Sequence, residues 1–146
     1  MSTFRTARDA VRAMWAANWP APAGVPVYWH DGTENILPDP GTVTHWLHLA
    51  IEFDADDVRA FGGGFGANDR VLFGSVTIRV FAATGIGEDA ALDRLSEAMA
   101  SFRGRRSADG NLSFIGTNTF PAAQAVMDGS WWQRSALVAF EFRYQG

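Results

Sequence analysis

The stretch VLFGSVTIRVFAATGIGEDAALDRLSEAMASFRGR, residues 71–105, predicts a strand, a glycine turn and a helix in succession. From Val71 to Ala82 apolar and polar residues alternate, which is the pattern of a strand with one buried face. From Glu88 to Phe102 apolar residues recur at steps of three and four, which is the pattern of an amphipathic helix. Gly104 follows at the position of a helix C-cap. The stretch therefore predicts a sheet with a helix packed on its apolar face.

Elements of the same two kinds lie on both sides of this stretch. The patterns predict a first helix over residues 3–18 and further strands over residues 25–30, 45–53, 112–119 and 131–144. Residues 54–69, with FGGGFGAND at their centre, are predicted to be a loop. Because most strands alternate apolar and polar residues, the expected fold class is α+β: a mostly antiparallel sheet of about five strands flanked by two main helices, in the order α-β-β-β-α-β-β. Residues 1–146 are expected to form a single domain.

Composition limits the class of protein. The chain has 146 residues, no cysteine and a formal net charge of −4 at pH 7. Without cysteine it forms no disulfide, no thiolate metal site and no cysteine nucleophile. The acidic balance gives no support for general binding to nucleic acid. No run approaches the roughly 18 apolar residues of a membrane span, and the charged N-terminal residues are unlike a secretory signal. Synthesis in the cytoplasm fits these limits.

The turn between the predicted strand and helix also fits a nucleotide-binding pattern, since GIGEDA reads G-x-G-x-x-A. Three features argue against that function. Arg79 lies on the second face of the strand, so the strand is not buried on both faces as in a dinucleotide-binding unit. Glu88 and Asp89 would repel a phosphate at the start of the helix, and arginines stand where an acidic residue is required. A structural turn at Gly85 and Gly87 is therefore the prediction, and a small nucleotide-binding enzyme is the alternative.

No other group of residues predicts catalysis or metal binding. His45 and His48 are three residues apart, which on a strand directs their rings to opposite faces, so a shared metal is not expected. The acidic run over residues 52–57 lacks the order of a calcium loop, and we expect a solvated loop that could also meet a basic neighbour in an assembly. Ser130 lacks the G-x-S-x-G context of a nucleophile. The chain is expected not to be an enzyme and to use no cofactor or metal.

Three segments are predicted to contact other proteins. The glycine-rich loop carries two aromatic residues that could anchor a partner, and we expect residues 54–70 to be poorly ordered in a lone subunit and ordered against a partner. A disordered hairpin tip explains the same loop equally well. The arginines after the second helix are either a solvated helix end or a surface facing DNA or an acidic neighbour. One of two adjacent tryptophans is expected at the surface. The candidate interface residues are Phe61, Phe65, Asp69, Arg70, Arg103, Arg105, Arg106 and Trp132.

The order of these segments resembles a known family. A first helix leads through a short strand to HWLHLAIEF (residues 45–53), a glycine-rich loop, the stretch 71–105 and a closing GSWWQRSALVAFEFRY (residues 129–144). This pattern is similar to the tail terminator, or tail completion, proteins of long-tailed phages and gene transfer agents. The likeness extends over residues 3–144. Its most telling parts are the strand from Val71, the GIG turn, the helix ending in FRGR and the last aromatic strand.

The resemblance implies a structural virion protein rather than an enzyme. Proteins of this family form a homohexameric ring on the head-proximal end of the tail tube, stop its polymerisation and join the tail to the head connector. The implied partners are other copies of the chain, the tail tube protein, the head–tail connector protein and DNA in the central channel, with no membrane. The implied location is the virion, assembled in the bacterial cytoplasm. Another head–tail joining ring protein and an accessory binding module of a bacterial host complex remain alternatives.

Overall fold

The part of the chain that the structure describes has two helices and five strands, which follow one another in the predicted order. The computed structural model describes residues 3–30, 43–60, 66–83, 85, 89–124 and 131–146. The helices are α1 (Thr3–Asn18) and α2 (Asp89–Ala100). The strands are β1 (Val27–Trp29), β2 (His45–Ala60), β3 (Asp69–Ala83), β4 (Leu112–Gln124) and β5 (Trp131–Gln145). No helix in this part of the chain is both long and apolar enough to span a membrane.

The five strands form one sheet in the order β1-β2-β3-β5-β4. The pairs β2–β3, β3–β5 and β5–β4 are antiparallel, and β1 alone lies parallel to its neighbour. Strand β1 is short and covers β2 only from Leu47 to Leu49. The predicted α+β class with a mostly antiparallel sheet is confirmed, and the parallel strand at one edge makes the sheet a mixed one.

Both helices pack on one face of the sheet and enclose the main core. Helix α1 contributes residues at four-residue steps, and the buried residues of α2 follow the same helical spacing. Phe102, just beyond α2, is fully buried; its ring lies 5.5 Å from that of Trp15 on α1 and 5.0 Å from that of Phe114 on β4. The side chain of Phe102 therefore connects both helical segments to β4, the outer strand of the sheet. The core residues from the helices are Ala7, Val11, Trp15, Ala91, Leu95, Ala98 and Met99.

The other face of the sheet, which we call the open face, has no described helix on it. At one end it carries a smaller aromatic cluster, in which Trp46 stacks on Phe81 with ring centroids 4.2 Å apart. The ring of Trp131 meets that of Trp46 edge-on at 5.8 Å, and both tryptophans are buried. The apolar alternation predicted for β2 and β5 thus serves two separate clusters, one on each face of the sheet.

A glycine lies at the centre of the sheet, where the antiparallel strands bend. Gly74 on β3 pairs with Phe53 on β2 and with Phe140 on β5, and Phe140 pairs in turn with Phe114 on β4. Both outer members of this row are followed by a register shift, before Ala55 in β2 and before residue 116 in β4. A bulge bends its strand and increases the local twist, so two bulges in one row bend the sheet along a line across its strands.

The prediction of a loop over residues 54–69 is wrong at both of its ends. Strand β2 continues to Ala60 and pairs with the beginning of β3, down to Asp69. The expectation that residues 54–70 are poorly ordered in a lone subunit is therefore corrected for 54–60 and 69–70, while 61–65 lie outside the described residues. Strand β4 likewise runs beyond the predicted end at Thr119, with a second register shift that spans Pro121. Proline is tolerated there because β4 is an outer strand and the position is bulged.

Candidate assembly surfaces

The three arginines after α2 lie on a turn that the fold holds firmly in place. Gly104 has φ of +71°, the left-handed conformation typical of a helix C-cap, but α2 ends four residues earlier, at Ala100. Gly104 therefore closes the turn that follows α2 rather than the helix itself. The side chain of Arg105 donates from Nε to the carbonyl of Ala100 at 2.9 Å. Arg103 and Arg106 are exposed, with no side-chain partner among the described residues. We call residues 103–106 the basic turn.

The basic turn continues into a short extended segment that borders β4. The amide of Phe114 donates to the carbonyl of Arg105 at 3.0 Å, and Arg106 forms an isolated antiparallel bridge with Ser113. The reversal that follows is closed by Asp109, which accepts from the hydroxyl of Ser107 at 2.6 Å. This hydrogen bond is the first cause of a lowered pKa for Asp109, so the carboxylate stays charged. The basic turn therefore lies at one outer edge of the sheet.

The acidic residues of β2 lie at the opposite outer edge. Since β1 covers β2 only as far as Leu49, β2 has no strand on its outer side from Ile51 onward among the described residues. We call residues 52–57 the acidic edge; it includes Glu52, Asp54 and Asp57, which are exposed and have no side-chain partner in the described part of the chain. The described residues hold no group of three or more potential metal ligands.

The fourth acidic residue of this edge is held within the subunit. The hydroxyl of Tyr144 donates to the carboxylate of Asp56 at 2.6 Å, and Arg70 approaches the same carboxylate at 3.4 Å. Arg70 also donates from Nε to the hydroxyl oxygen of Tyr144 at 3.2 Å. Burial, followed by the hydrogen bond to Asp56, raises the pKa of Tyr144, so its hydroxyl remains a donor. This triad joins β2, β3 and β5 at the end of the sheet.

An open groove of about 770 Å³ adjoins this triad. Three arginines line it, of which Arg59 and Arg143 are exposed, and the guanidinium of Arg59 lies 5.2 Å from the ring centroid of Phe73. Asp69 is exposed at the same place. The groove is polar and its charge is mixed. Its lining residues are Arg59, Asp69, Arg70, Val71, Asn111, Arg143, Tyr144 and Gln145.

A histidine pair that the sequence does not predict lies on the open face. His45 and His48 lie on opposite faces, as expected, but the ring of His30, next to β1, lies 5.5 Å from that of His48. Burial, then the charge of Arg79 and then His30, lowers the pKa of His48. The pKa of His45 is lowered separately, by burial and then by Arg94. The contact between His30 and His48 results from the parallel pairing of β1 with β2, which no sequence pattern predicts.

The glycine turn does not have the surroundings of a nucleotide site. Gly85 has φ of +92°, as a tight turn requires, and Asp89 begins α2. Strand β3, which precedes the turn, is antiparallel to both of its neighbours, whereas dinucleotide-binding units are built from parallel strands. The structure therefore favours the turn over the nucleotide-binding alternative. Gly87 and Glu88 lie outside the described residues.

The predicted interface residues occupy separate places in the fold. Asp69 and Arg70 are together at one end of β3, and Trp132 pairs with Ala82 at the other end. Trp132 is half-buried against the main core, with the guanidinium of Arg134 5.6 Å from its ring centroid. Phe61 and Phe65 lie outside the described residues. The basic turn lies across the sheet, so the predicted residues do not form one continuous site.

Comparison with known proteins bears on the fold. No family model matches the chain, and no curated protein matches it. A solved structure known only by a sequence-record label is similar over 94% of this chain and 96% of its own, with 16% identity and a TM-score of 0.57. A solved structure of the virion of a native gene transfer agent particle is similar over 96% and 98%, with 17% identity and a TM-score of 0.43. The first likeness supports a shared fold over nearly the whole chain, and the second is too weak to carry an argument.

Proposed function

We propose that this chain is a structural protein of a phage-like virion. In this proposal it is a tail terminator: it forms a hexameric ring on the head-proximal end of the tail tube, stops the tube from growing and provides the docking surface for the head connector. The observation that carries the proposal is an agreement between two folds. The family that the sequence resembles implies a mostly antiparallel sheet flanked by helices, and the chain has that sheet, with both helices on one face.

The outer surfaces of the subunit support an assembly role. The two outer edges of the sheet differ in charge, one carrying the basic turn and the other the acidic edge. Unequal edges favour head-to-tail contacts between copies, which generate rings when the rotation closes. In this proposal the groove and the exposed parts of the open face meet the tail tube protein, the connector and DNA in the channel, while Ser75 and Thr77 at the centre of that face are buried within the subunit.

The test is to purify the chain and polymerise the tail tube protein of the same particle with and without it. Tube length is measured by negative-stain electron microscopy, and the mass of the free chain by native mass spectrometry. We expect a ring at one end of each tube and shorter tubes as the chain is added in increasing amounts. Asp93→Arg, on the exposed side of α2, is the matched control and should cap tubes as the wild type does.

Two outcomes would contradict the proposal in different ways. A chain that stays monomeric and leaves tube length unchanged would refute both the ring and the cap. A ring that binds the connector without limiting tube length would indicate another head–tail joining protein instead.

A further inference from the structure

The two charged outer edges lie at the same height in the sheet. The basic turn is linked to the acidic edge by one row of paired residues that crosses four strands: Arg106, Ser113, Glu141, Phe73 and Ala55. Ala55 lies between Asp54 and Asp56. A copy of the subunit placed beside the first in the plane of the sheet, without a shift along the strands, would bring its basic turn opposite this acidic edge.

The same pairing sets the faces. Residues directly opposite each other in antiparallel strands point to the same face, so Arg106 shares a face with Phe73. Asp57 pairs with Val71, two residues from Phe73, and therefore lies on that face as well. Two residues of strand correspond to about 7 Å along the sheet. Arg106 and Asp57 thus lie on the same face of the sheet. Their separation along the strand direction is no longer than an arginine side chain.

We propose that copies of this chain associate edge to edge, with the basic turn of one copy against the acidic edge of β2 in the next. The occupant of each edge is a second copy of the chain, argued from complementary charge, from equal height and from the absence of internal partners for Arg103, Arg106, Asp54 and Asp57 in the described part of the molecule. The inference rests on the proposed function, because it specifies the contact that would close the ring. Each copy offers one acidic and one basic edge, so the contact is head-to-tail.

The test reverses the charge of each edge separately. One variant is Arg103→Glu with Arg106→Glu, and the other is Asp54→Arg with Asp57→Arg. Arg105 and Asp56 are left unchanged because Arg105 is bonded to Ala100, and Asp56 to Tyr144, within the subunit. Asp93→Arg serves as the control for a charge reversal away from both edges. Thermal unfolding of each variant confirms that it is folded before assembly is measured.

We expect each reversed variant to self-associate at least about 100-fold more weakly than the wild type, because like charges then face each other across the contact. An equimolar mixture of the two variants should restore assembly, since every contact in an alternating ring again pairs opposite charges. Alternation closes only in a ring with an even number of subunits, as a hexamer has. A single chain that carries all four substitutions should assemble by itself. Sedimentation and native mass spectrometry, with and without tail tubes, measure these outcomes.

Folded variants that assemble like the wild type, or a mixture that fails to restore assembly, would refute the edge contact. If the wild type caps tubes but the variants give either of these results, the proposed function stands and the inference alone fails. Normal rings of the arginine variant that no longer retain DNA would assign the basic turn to the channel and likewise overturn the contact. A wild-type chain that never self-associates would refute the proposed function and the inference together.

Discussion

Alanine at Gly74 should destabilise the subunit through a clash that the structure defines. A Cβ added at this position would lie 2.5 Å from the backbone oxygen of Glu52 and 2.6 Å from Cζ of Phe140. The oxygen belongs to the neighbouring strand and cannot rotate away. Phe140 is fully buried, with the rings of Phe53 and Phe114 beside it at 6.3 and 5.9 Å, so it has little room to move.

Overpacking of a well-packed core costs about 1–3 kcal/mol, and two contacts this short place Gly74→Ala near the upper end, at about 2–3 kcal/mol. For a chain of this size we expect the melting temperature to fall by roughly 5–10 °C. The matched control is Gly116→Ala on β4, where an added Cβ meets nothing within 4 Å; its change should stay within about 0.5 kcal/mol. Thermal and urea unfolding of both variants measure the difference. Equal stability of Gly74→Ala and the wild type, or equal losses in both variants, would refute this account of the clash.

Three further changes test other parts of the fold. Tyr144→Phe should lower the free energy of unfolding at pH 7 by about 0.5–1 kcal/mol, because Asp56 loses a donor while staying partly in water. Because folding raises the pKa of Tyr144, its protonated hydroxyl contributes to the free energy of unfolding, fully at pH values below the phenol's ordinary pKa of 10.0. This contribution is lost as pH rises through the pKa of Tyr144 in the folded chain. Tyr144→Phe should therefore lack this loss of stability at alkaline pH when unfolding is measured as a function of pH. Burial, then Arg79, lowers the pKa of His48, so the wild type should lose stability as pH falls below 6.5. His48→Gln should reduce that slope in urea titrations from pH 8 to 5 and leave the part that comes from His45, whose pKa is lowered as well. Phe102→Ala should cost about 3–5 kcal/mol in urea unfolding, and a loss below 1 kcal/mol would contradict its role in joining the helices to the sheet.

Alternation and helical spacing predicted most of the fold because they report burial directly. The faces of β3 follow the pattern: Val76 and Ile78 are buried in the main core, and Arg79 lies on the open face. Both helices match their predicted bounds within two residues. These elements could be predicted because each one's pattern depends on its own side chains. The prediction that β3 has one buried face is wrong at its centre, where Ser75 and Thr77 on the open face are buried as well.

The end of β2 could not be predicted in this way. A run with Asp54, Asp56 and Asp57 reads as a solvated loop, and its strand conformation depends on partners far along the chain, Arg70 and Tyr144 among them. The candidate surfaces have the same limit. The charged residues of these surfaces could be identified in the sequence. Their positions along the strand direction depend on the cross-strand register, which is set by the whole sheet.

The glycine in the centre of β3 also limits how the chain can fold. Strands β3 and β5 are separated in the sequence by α2 and β4, so their pairing is a long-range contact that could form in several registers. On the face under the helices β3 presents Leu72, Gly74 and Val76 in turn, and only the glycine leaves space for the ring of Phe140. A slip of two residues in either direction would keep every side chain on its proper face but drive that ring into Leu72 or Val76. The space at Gly74 therefore disfavours the shifted registers of β3 and β5 that the hydrophobic pattern alone would allow.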